Sequence, residues 1–488
     1  MTELLALLDG REVGTVRQER GRLNFVYADA WRSAPGAYPL SLSMPLAAAE
    51  HPHAAIDPFL WGLLPDNDVV LTRWARRFHV SPRNAFALIS HVGEDCAGAV
   101  QFARPERRQE FITSTPANVE WLTDADVATR LRALLADASA GRAPHDTGQF
   151  SLAGAQPKTA LLFDGQRWGV PSGREPTTHI LKPPTGGFDG HAENEHLCLA
   201  LARALGLPAA RSEVRQFEDV TAIVVERYDR VRIAELAAAR AKLAAAKAAE
   251  AAMHAASNEP RSAAMTARAA AEAADAAASA QSLSEFAKTT HTYRVHQEDF
   301  CQALRVYPTQ KYQNDGGPGP KQIIDLLRAN ASGAQRPKGR STPTAHDEDA
   351  STFLDALILN WLIGGTDAHA KNYSILIGGG GLVRLAPLYD IASIYGYPDI
   401  DPQKVKLAMR VGDQYRIRDI GLSQWRKLAA DVRVDEDALI GRVHAMAAEL
   451  PDRLADEVRN LRDAGLSHAV IATLANILPK RATRIASM

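Results

Sequence analysis

Cysteine is scarce in this chain. Its 488 residues hold three, Cys96, Cys198 and Cys301, far apart and without a C-x-x-C pair. That excludes a disulfide framework and a thiolate metal site, and it suits a reducing cytoplasm. Excess charge is also missing: 56 Lys and Arg stand against 57 Asp and Glu, a net of −1. No global electrostatic case for nucleic acid or an anionic membrane follows, and only a local basic patch is left open. Long apolar runs are absent too, the longest falling well short of the ~18 residues a membrane span needs. The start, Met1-Thr2-Glu3-Leu4, has no basic run before its apolar residues, so no signal peptide is expected. What is present is an ordinary globular composition, 46 % hydrophobic and 23 % charged. The length allows two or three domains of roughly 100–200 residues. The expectation is a soluble, cytoplasmic protein.

Residues 4–8 and 22–27 read as strands, with turns at Asp9-Gly10 and Glu19-Arg20-Gly21. Helical patterns follow at 57–64, 68–78 and 84–91, and a strand at 99–102 closes a small α+β unit. Another helical pattern ends at 131–138. The polar stretch 141–148 reads as a linker or mobile loop. A second unit then opens. Phe150 to Leu162 reads as strand, turn, strand around Gly154 and Pro157, followed by strands at 168–170 and 179–182. A helix at 192–205 stops at Gly206 with Pro208 beyond it. Strands at 212–217 and 221–227 complete the unit. Strands, one helix, then strands is the order of a kinase small lobe.

Residues 234–280 stand apart, since more than half are alanine. Alanine has the best helix propensity, and Asn258-Glu259-Pro260 interrupts the run. Two helices folded back as a hairpin are expected, each ~37 Å long at 1.5 Å per residue. With few large side chains, such a hairpin buries little area. A projecting structural insertion and a partner-binding arm both fit. Beyond it, 297–304 reads as a helix, 308–320 as a loop, 321–330 as a helix and 332–347 as a polar stretch. After about residue 420 helices dominate.

The chemistry centres on Gly364 to Ile377. A buried helix, 353–363, leads into a loop in which Asp367 and Asn372 are five residues apart. A strand at 373–377 follows. The glycines Gly378 to Gly381 then turn the chain into a strand at 382–388, which ends in Asp390. Phosphoryl transfer from a nucleotide needs a carboxylate near the acceptor hydroxyl, plus an amide and a second carboxylate on magnesium. D-x-x-x-x-N followed by a carboxylate after a hairpin is the spacing protein kinases use. The same residues also serve as turn and cap residues in ordinary loops. His369 could be a metal ligand, but no second histidine stands at helical spacing, which argues against zinc hydrolysis.

Two further features bear on this. The turn of small residues from Ser151 to Thr159 could let backbone N–H groups approach phosphates. It is neither G-x-G-x-x-G nor a Walker pattern, and a plain hairpin fits it as well. Lys182 sits on an apolar strand, where an unpaired ammonium is costly. Its candidate partners are nucleotide phosphates and Glu193 or Glu195, with a solvent-facing strand end as the bland alternative. Glu226-Arg227-Tyr228 ends a strand where a small lobe would hand over to a large one.

In this order the pieces resemble the HipA toxin kinases of bacterial type II toxin–antitoxin modules. The resemblance rests on Gly36-Ala37-Tyr38-Pro39-Leu40-Ser41, Leu64-Pro65-Asp66, Asp95-Cys96-Ala97-Gly98-Ala99 and Ser151 to Thr159. It continues through Thr178 to Lys182, Val225 to Arg230, His296-Gln297-Glu298-Asp299, Asp315 to Gly319, Thr366 to Asn372 and Pro387-Leu388-Tyr389-Asp390. It covers nearly all of the chain except the alanine-rich insertion.

The resemblance implies an α+β, two-lobed protein-kinase-like fold with a small N-terminal α+β subdomain and a mostly helical C-terminal lobe. The expected bounds are 1–110 for the subdomain, 111–230 for the linker and small lobe, 231–289 for the insertion and 290–488 for the large lobe. It implies a serine/threonine kinase using ATP and Mg2+, with Asp367 as catalytic base and Asn372 and Asp390 on the metal. The nucleotide would meet Ala153, Gly154, Ala155, Gln156, Pro157 and Lys158, then Lys182. Glu226, Arg227 and Tyr228 would form the hinge under adenine. His369, Ala370, Lys371 and Asn372, with Tyr389 and Asp390, would flank the phosphates. Ser151 matches a serine that family members autophosphorylate. The implied target is a glutamyl-tRNA synthetase or another aminoacyl-tRNA synthetase. The implied partner is a HipB-like helix-turn-helix antitoxin that itself contacts operator DNA. The chain has no H-R-D and no D-F-G, which fits this family and not ordinary protein kinases. The alternatives are a small-molecule or lipid kinase, and a catalytically idle corepressor.

Overall fold

The structure, a computed structural model, describes residues 2–112, 119–140, 151, 153–154, 156–184, 188–256, 262–286, 292–330, 345–397 and 399–488. The linker expected at 141–148, the Pro260 break, Ala155 and most of the polar stretch 332–347 lie outside these.

The first unit is a five-stranded antiparallel sheet in the order β4-β3-β2-β1-β5. Its strands are β1 (Thr2–Leu8), β2 (Arg11–Glu19), β3 (Arg22–Tyr27), β4 (Glu50–Pro52) and β5 (Val100–Ala103). Strand β2 was not legible, because Arg11, Arg17 and Glu19 dilute its apolar alternation. Short helix α1 (Asp29–Arg32) precedes helices α2 (His53–Gly62), α3 (Asp68–Phe78) and α4 (Ala85–Val92), which lie close to the expected spans. Helices α3 and α4 start where Asn67 and Asn84 accept backbone N–H groups of their first turns. A short helix α5 (Arg108–Ile112) ends the unit.

The second sheet is six-stranded, in the order β10-β11-β9-β7-β8-β6. It comprises β6 (Val119–Leu122), β7 (Thr159–Phe163), β8 (Trp168–Pro171), β9 (His179–Lys182), β10 (Ser212–Phe217) and β11 (Val220–Glu226). Helix α6 (Asp124–Ala136) packs Val127, Leu131 and Leu134 on one side of it, against Trp168, Leu181 and Phe217. Helix α7 (His191–Ala204) joins the larger core on the other side. The hairpin expected from 150 to 162 is not one. Gly154 forms an isolated parallel bridge with Pro65 of the first unit, and strand pairing starts only at Thr159.

The alanine-rich segment forms two helices, α8 (Ile233–Ala256) and α9 (Ser262–Phe286), of 24 and 25 residues. They pack on each other, with Lys247 2.8 Å from Glu272. They leave from a β-hairpin, β12 (Arg230–Arg232) paired with β13 (Thr292–Arg294), in which Arg232 faces Thr292.

The helix read at 297–304 is instead strand β14 (His296–Asp299) followed by one turn of helix, α10 (Phe300–Ala303). Asp299 accepts from the N–H of Gln302 at 2.9 Å and Gln302 accepts from that of Asp299 at 2.9 Å, so the helix begins there. Upstream, β14 is free to pair with β15 (Ser374–Gly378), which pairs with β16 (Leu382–Leu385). The expected strand to 388 therefore stops three residues short. Helix α11 (Pro320–Ala329) and the buried α12 (Ala345–Ile363) lead into this sheet. A small hairpin, β17 (Lys406–Val411) and β18 (Gln414–Arg416), was not expected. Helices α13 (Leu422–Val432), α14 (Glu436–Asp463) and α15 (Ala469–Ala486) close the chain. Among the described residues no helix is long and apolar enough to cross a membrane.

Candidate active site

Strand β9 carries Lys182 to the floor of a cleft between the second sheet and the helical part. Its ammonium lies 2.8 and 3.1 Å from the carboxylate of Glu195 on α7, and 2.7 Å from Oδ1 of Asp390. Glu195 is the partner rather than Glu193. Burial works against the Lys182 charge, but Asp390 and Glu195 outweigh it and hold the ammonium above its usual value. The same lysine, with Lys158 next, overrides burial at Asp390 and keeps that carboxyl ionised. Asp390 sits at φ 58°, a left-handed conformation that costs free energy and is tolerated by Asp better than by most residues. Its side chain is 32 % exposed, against 1 % for Glu195, so it faces the cleft.

Helix α12 ends at Gly364, at φ 71°, where the N–H of Gly365 closes on the carbonyl of Asn360 at 2.8 Å. The loop that follows presents Asp367, whose side chain is 63 % exposed. The phenol of Tyr312 donates to Asp367 Oδ1 at 2.5 Å. Asn372 donates through Nδ2 to the carbonyl of Asp367 at 2.7 Å, which fixes its amide plane and leaves the carboxamide oxygen to serve as a ligand. That oxygen and the Asp390 carboxylate are hard donors of the kind that would suit magnesium. His369 is buried edge-on to Tyr312, with ring centroids 4.9 Å apart. Burial pulls it down to about 4, so the imidazole is neutral.

The turn of small residues folds over the cleft. Gly154 has φ 103°, a backbone that disfavours any side chain. Lys158 donates to the carbonyl of Ala153 at 2.6 Å, and burial, then repulsion from Lys182, lowers it to about 8. Ser151 is buried, its hydroxyl donating to the carbonyl of Leu63 at 2.7 Å and its N–H to that of Asp95 at 2.9 Å. The first unit therefore clamps this turn. Asp66, next to the Pro65–Gly154 bridge, also holds Lys311 at 2.9 Å and Lys371 at 2.5 Å. Those two lysines outweigh its burial and keep it ionised.

One cavity of about 620 Å³ is lined by Ala153, Gly154, Gln156, Pro157, Lys158, Lys182, Glu226, Arg227, Tyr228, Asp367, His369, Lys371, Asn372, Tyr389 and Asp390. That volume suits a small-molecule site. Three expected residues behave differently. Ala370 is fully buried, its N–H on the carbonyl of Lys311 at 3.3 Å. Lys371 spends its charge on Asp66. Arg227 turns its guanidinium to Asp229 at 3.0 Å, Thr177 at 2.9 Å and the carbonyl of Cys96 at 2.7 Å. Sequence reasoning gave no role to Asp66, Lys311 or Tyr312. Asp66 stood in the Leu64-Pro65-Asp66 motif, which was the available signal for it.

The HipA-like C-terminal domain matches residues 150–454 and the HipA N-terminal domain residues 4–103. Y4mE of Sinorhizobium fredii, which carries a kinase name, is 33 % identical over 479 residues, covering 97 % of this chain and 96 % of its own. The serine/threonine-protein kinase toxin HipA of Shewanella oneidensis is 26 % identical over 449 residues, 88 % of this chain and 83 % of its own. A HipA chain from Shewanella oneidensis, solved with HipB and operator DNA, superposes with a TM-score of 0.71 at 22 % identity, covering 99 % and 98 % of the two chains. That last likeness shows the α+β kinase-like fold.

Proposed function

The chain belongs to the HipA family of toxin–antitoxin kinases, and we propose that it transfers the γ-phosphoryl group of ATP to a serine or threonine hydroxyl of a protein. The observation that carries this reading is the 2.7 Å contact between Lys182 and Asp390, residues 208 apart in sequence, on the cavity that also holds Asp367 and Asn372. Lys182 is charged and held at the phosphate end, where it offsets developing negative charge. Asn372 and Asp390 would hold magnesium, which would supply further charge neutralisation at the phosphates. Asp367 orients or deprotonates the acceptor hydroxyl.

At the hinge, the N–H groups of Glu226 and Arg227 already serve the carbonyls of Arg211 and Thr178, each at 2.9 Å. The Tyr228 N–H is the one we assign to the adenine edge. Ser151 is the proposed autophosphorylation site. A phosphate there brings about two negative charges into a buried pocket and drives the turn out. The proposed target is an aminoacyl-tRNA synthetase, glutamyl-tRNA synthetase first, in the cytoplasm. A HipB-like antitoxin is the proposed partner and supplies the operator DNA contact. The test is incubation with γ-labelled ATP, magnesium and a bacterial lysate. Label in a protein band, together with Ser151 phosphate by mass spectrometry, supports the reading. Label in small molecules or lipids alone defeats it.

A further inference from the structure

We propose that Tyr312 is a positioning residue for Asp367. The inference rests on the reading of Asp367 as the group that receives the acceptor hydroxyl. Asp367 stands on a loop with most of its side chain in solvent, where a carboxylate can turn among rotamers. Its Oδ1 accepts the Tyr312 phenol at 2.5 Å, whereas His369 Nε2 is 3.8 Å from the same oxygen. With Oδ1 occupied, Oδ2 is left for the acceptor.

Tyr312 is itself held from several sides. The carbonyl of Tyr312 accepts from Gly317 at 3.0 Å, and that of Lys311 accepts from Ala370 at 3.3 Å. The Lys311 ammonium is tied to Asp66 at 2.9 Å. Next along, Gln313 accepts the Arg410 N–H at 2.8 Å. Burial, reinforced by the bond to Asp367, raises the phenol above its usual value, so it stays a donor at neutral pH. A fixed donor on a mobile carboxylate brings the reactants closer to attack geometry without touching the nucleotide.

Tyr312→Phe keeps the ring against His369 and removes only the hydroxyl. The assay is the initial rate of label transfer from γ-labelled ATP to lysate proteins, with KM for ATP, calorimetric ATP affinity and the thermal midpoint measured alongside. The expected result is a rate at saturating ATP lower by about 10- to 100-fold, the scale of one hydrogen bond to a charged group. KM for ATP and the ATP affinity should stay within about twofold on the same argument. A wild-type rate in Tyr312→Phe overturns the proposal. So does a fall matched by lost ATP affinity or a lowered midpoint, which is the signature of a merely structural residue. Asp367→Asn is run in parallel. If it retains turnover, the assignment of Asp367 fails and takes this proposal with it. If it is inactive while Tyr312→Phe is not, only the positioning role falls.

Discussion

Replacing Asp95 by Asn should destabilise the protein through the joint between the first unit and the hinge. Asp95 accepts from Arg230 at 2.9 Å and from the N–H and hydroxyl of Thr177 at 3.0 and 2.7 Å, and it also bonds Arg294. Arg227 lies 3.5 Å away. Asp229 supplies the second carboxylate, 3.0 Å from Arg227 and 3.1 Å from Arg230, and accepts the N–H of Gly98 at 2.7 Å. Three buried guanidinium groups thus gather around Asp95 and Asp229. Burial, then Arg227, already pulls Arg230 down to about 10. Asn at position 95 removes the carboxylate charge that Arg230 and Arg294 bond and Arg227 approaches.

Breaking a buried ion pair typically costs ~3–5 kcal/mol, against a total stability of ~5–15 kcal/mol. With an unfolding entropy of roughly 2.1 cal/mol/K per residue, this lowers the thermal midpoint of the 488-residue chain by roughly 3–5 °C. Urea unfolding followed by tryptophan fluorescence should show the loss as a lower midpoint at unchanged slope. The sign with pH is fixed. The arginines outweigh burial and hold Asp95 and Asp229 below the ordinary carboxylate value. Their stabilisation is full above the unfolded value near about 4 and is lost as pH falls below it. The gap between wild type and variant should therefore be complete at pH 7 and narrow below about pH 4. A loss under about 1 kcal/mol at pH 7, the level of an exposed pair, would refute the reasoning.

Two other outcomes follow from buried chemistry and topology. Glu298 is 1 % exposed, and burial raises it to about 8. Its raised value makes wild-type stability fall as pH rises from about 4.3 to about 8. Glu298→Gln, a copy of the neutral acid, should be more stable than wild type at pH 8.5 and equal to it near pH 4. Equal stability at both values in urea titrations would contradict this. The insertion leaves from the β12–β13 hairpin, and Ile233 is buried at its base. Replacing 238–290 by a short Gly-Ser link should keep ATP affinity within about twofold, since no described residue of the hairpin lines the cavity. A collapse of affinity on calorimetry would place the hairpin in the site's architecture.

The grouping of the site residues was legible where it was local. D-x-x-x-x-N, the hairpin aspartate and a lysine on an apolar strand each follow from spacing, and the fold brings them together. Glu193 and Glu195 could not be separated by periodicity, because the choice depends on how α7 rolls against β9. Pairings across the chain left no trace in spacing: Asp66 meets Lys311 and Lys371 over separations of 245 and 305 residues. The resemblance sets Lys371 beside the phosphates, and nothing local shows that its ammonium meets a distant carboxylate. The mixed apolar and polar pattern of β14 suits either period, and the Asp299–Gln302 capping pair is the local sign that the helix starts later. The turn after Ser151 looked like a hairpin because sequence does not show that the first unit, through Pro65, supplies its partner.

The most direct test of the central claim is a calorimetric titration of ATP into the chain, with and without magnesium, repeated on Asp390→Asn. The account predicts one magnesium-dependent site per chain in the wild type and loss of the magnesium dependence in the variant. Wild-type binding indifferent to magnesium, or a variant that binds as the wild type does, would contradict it.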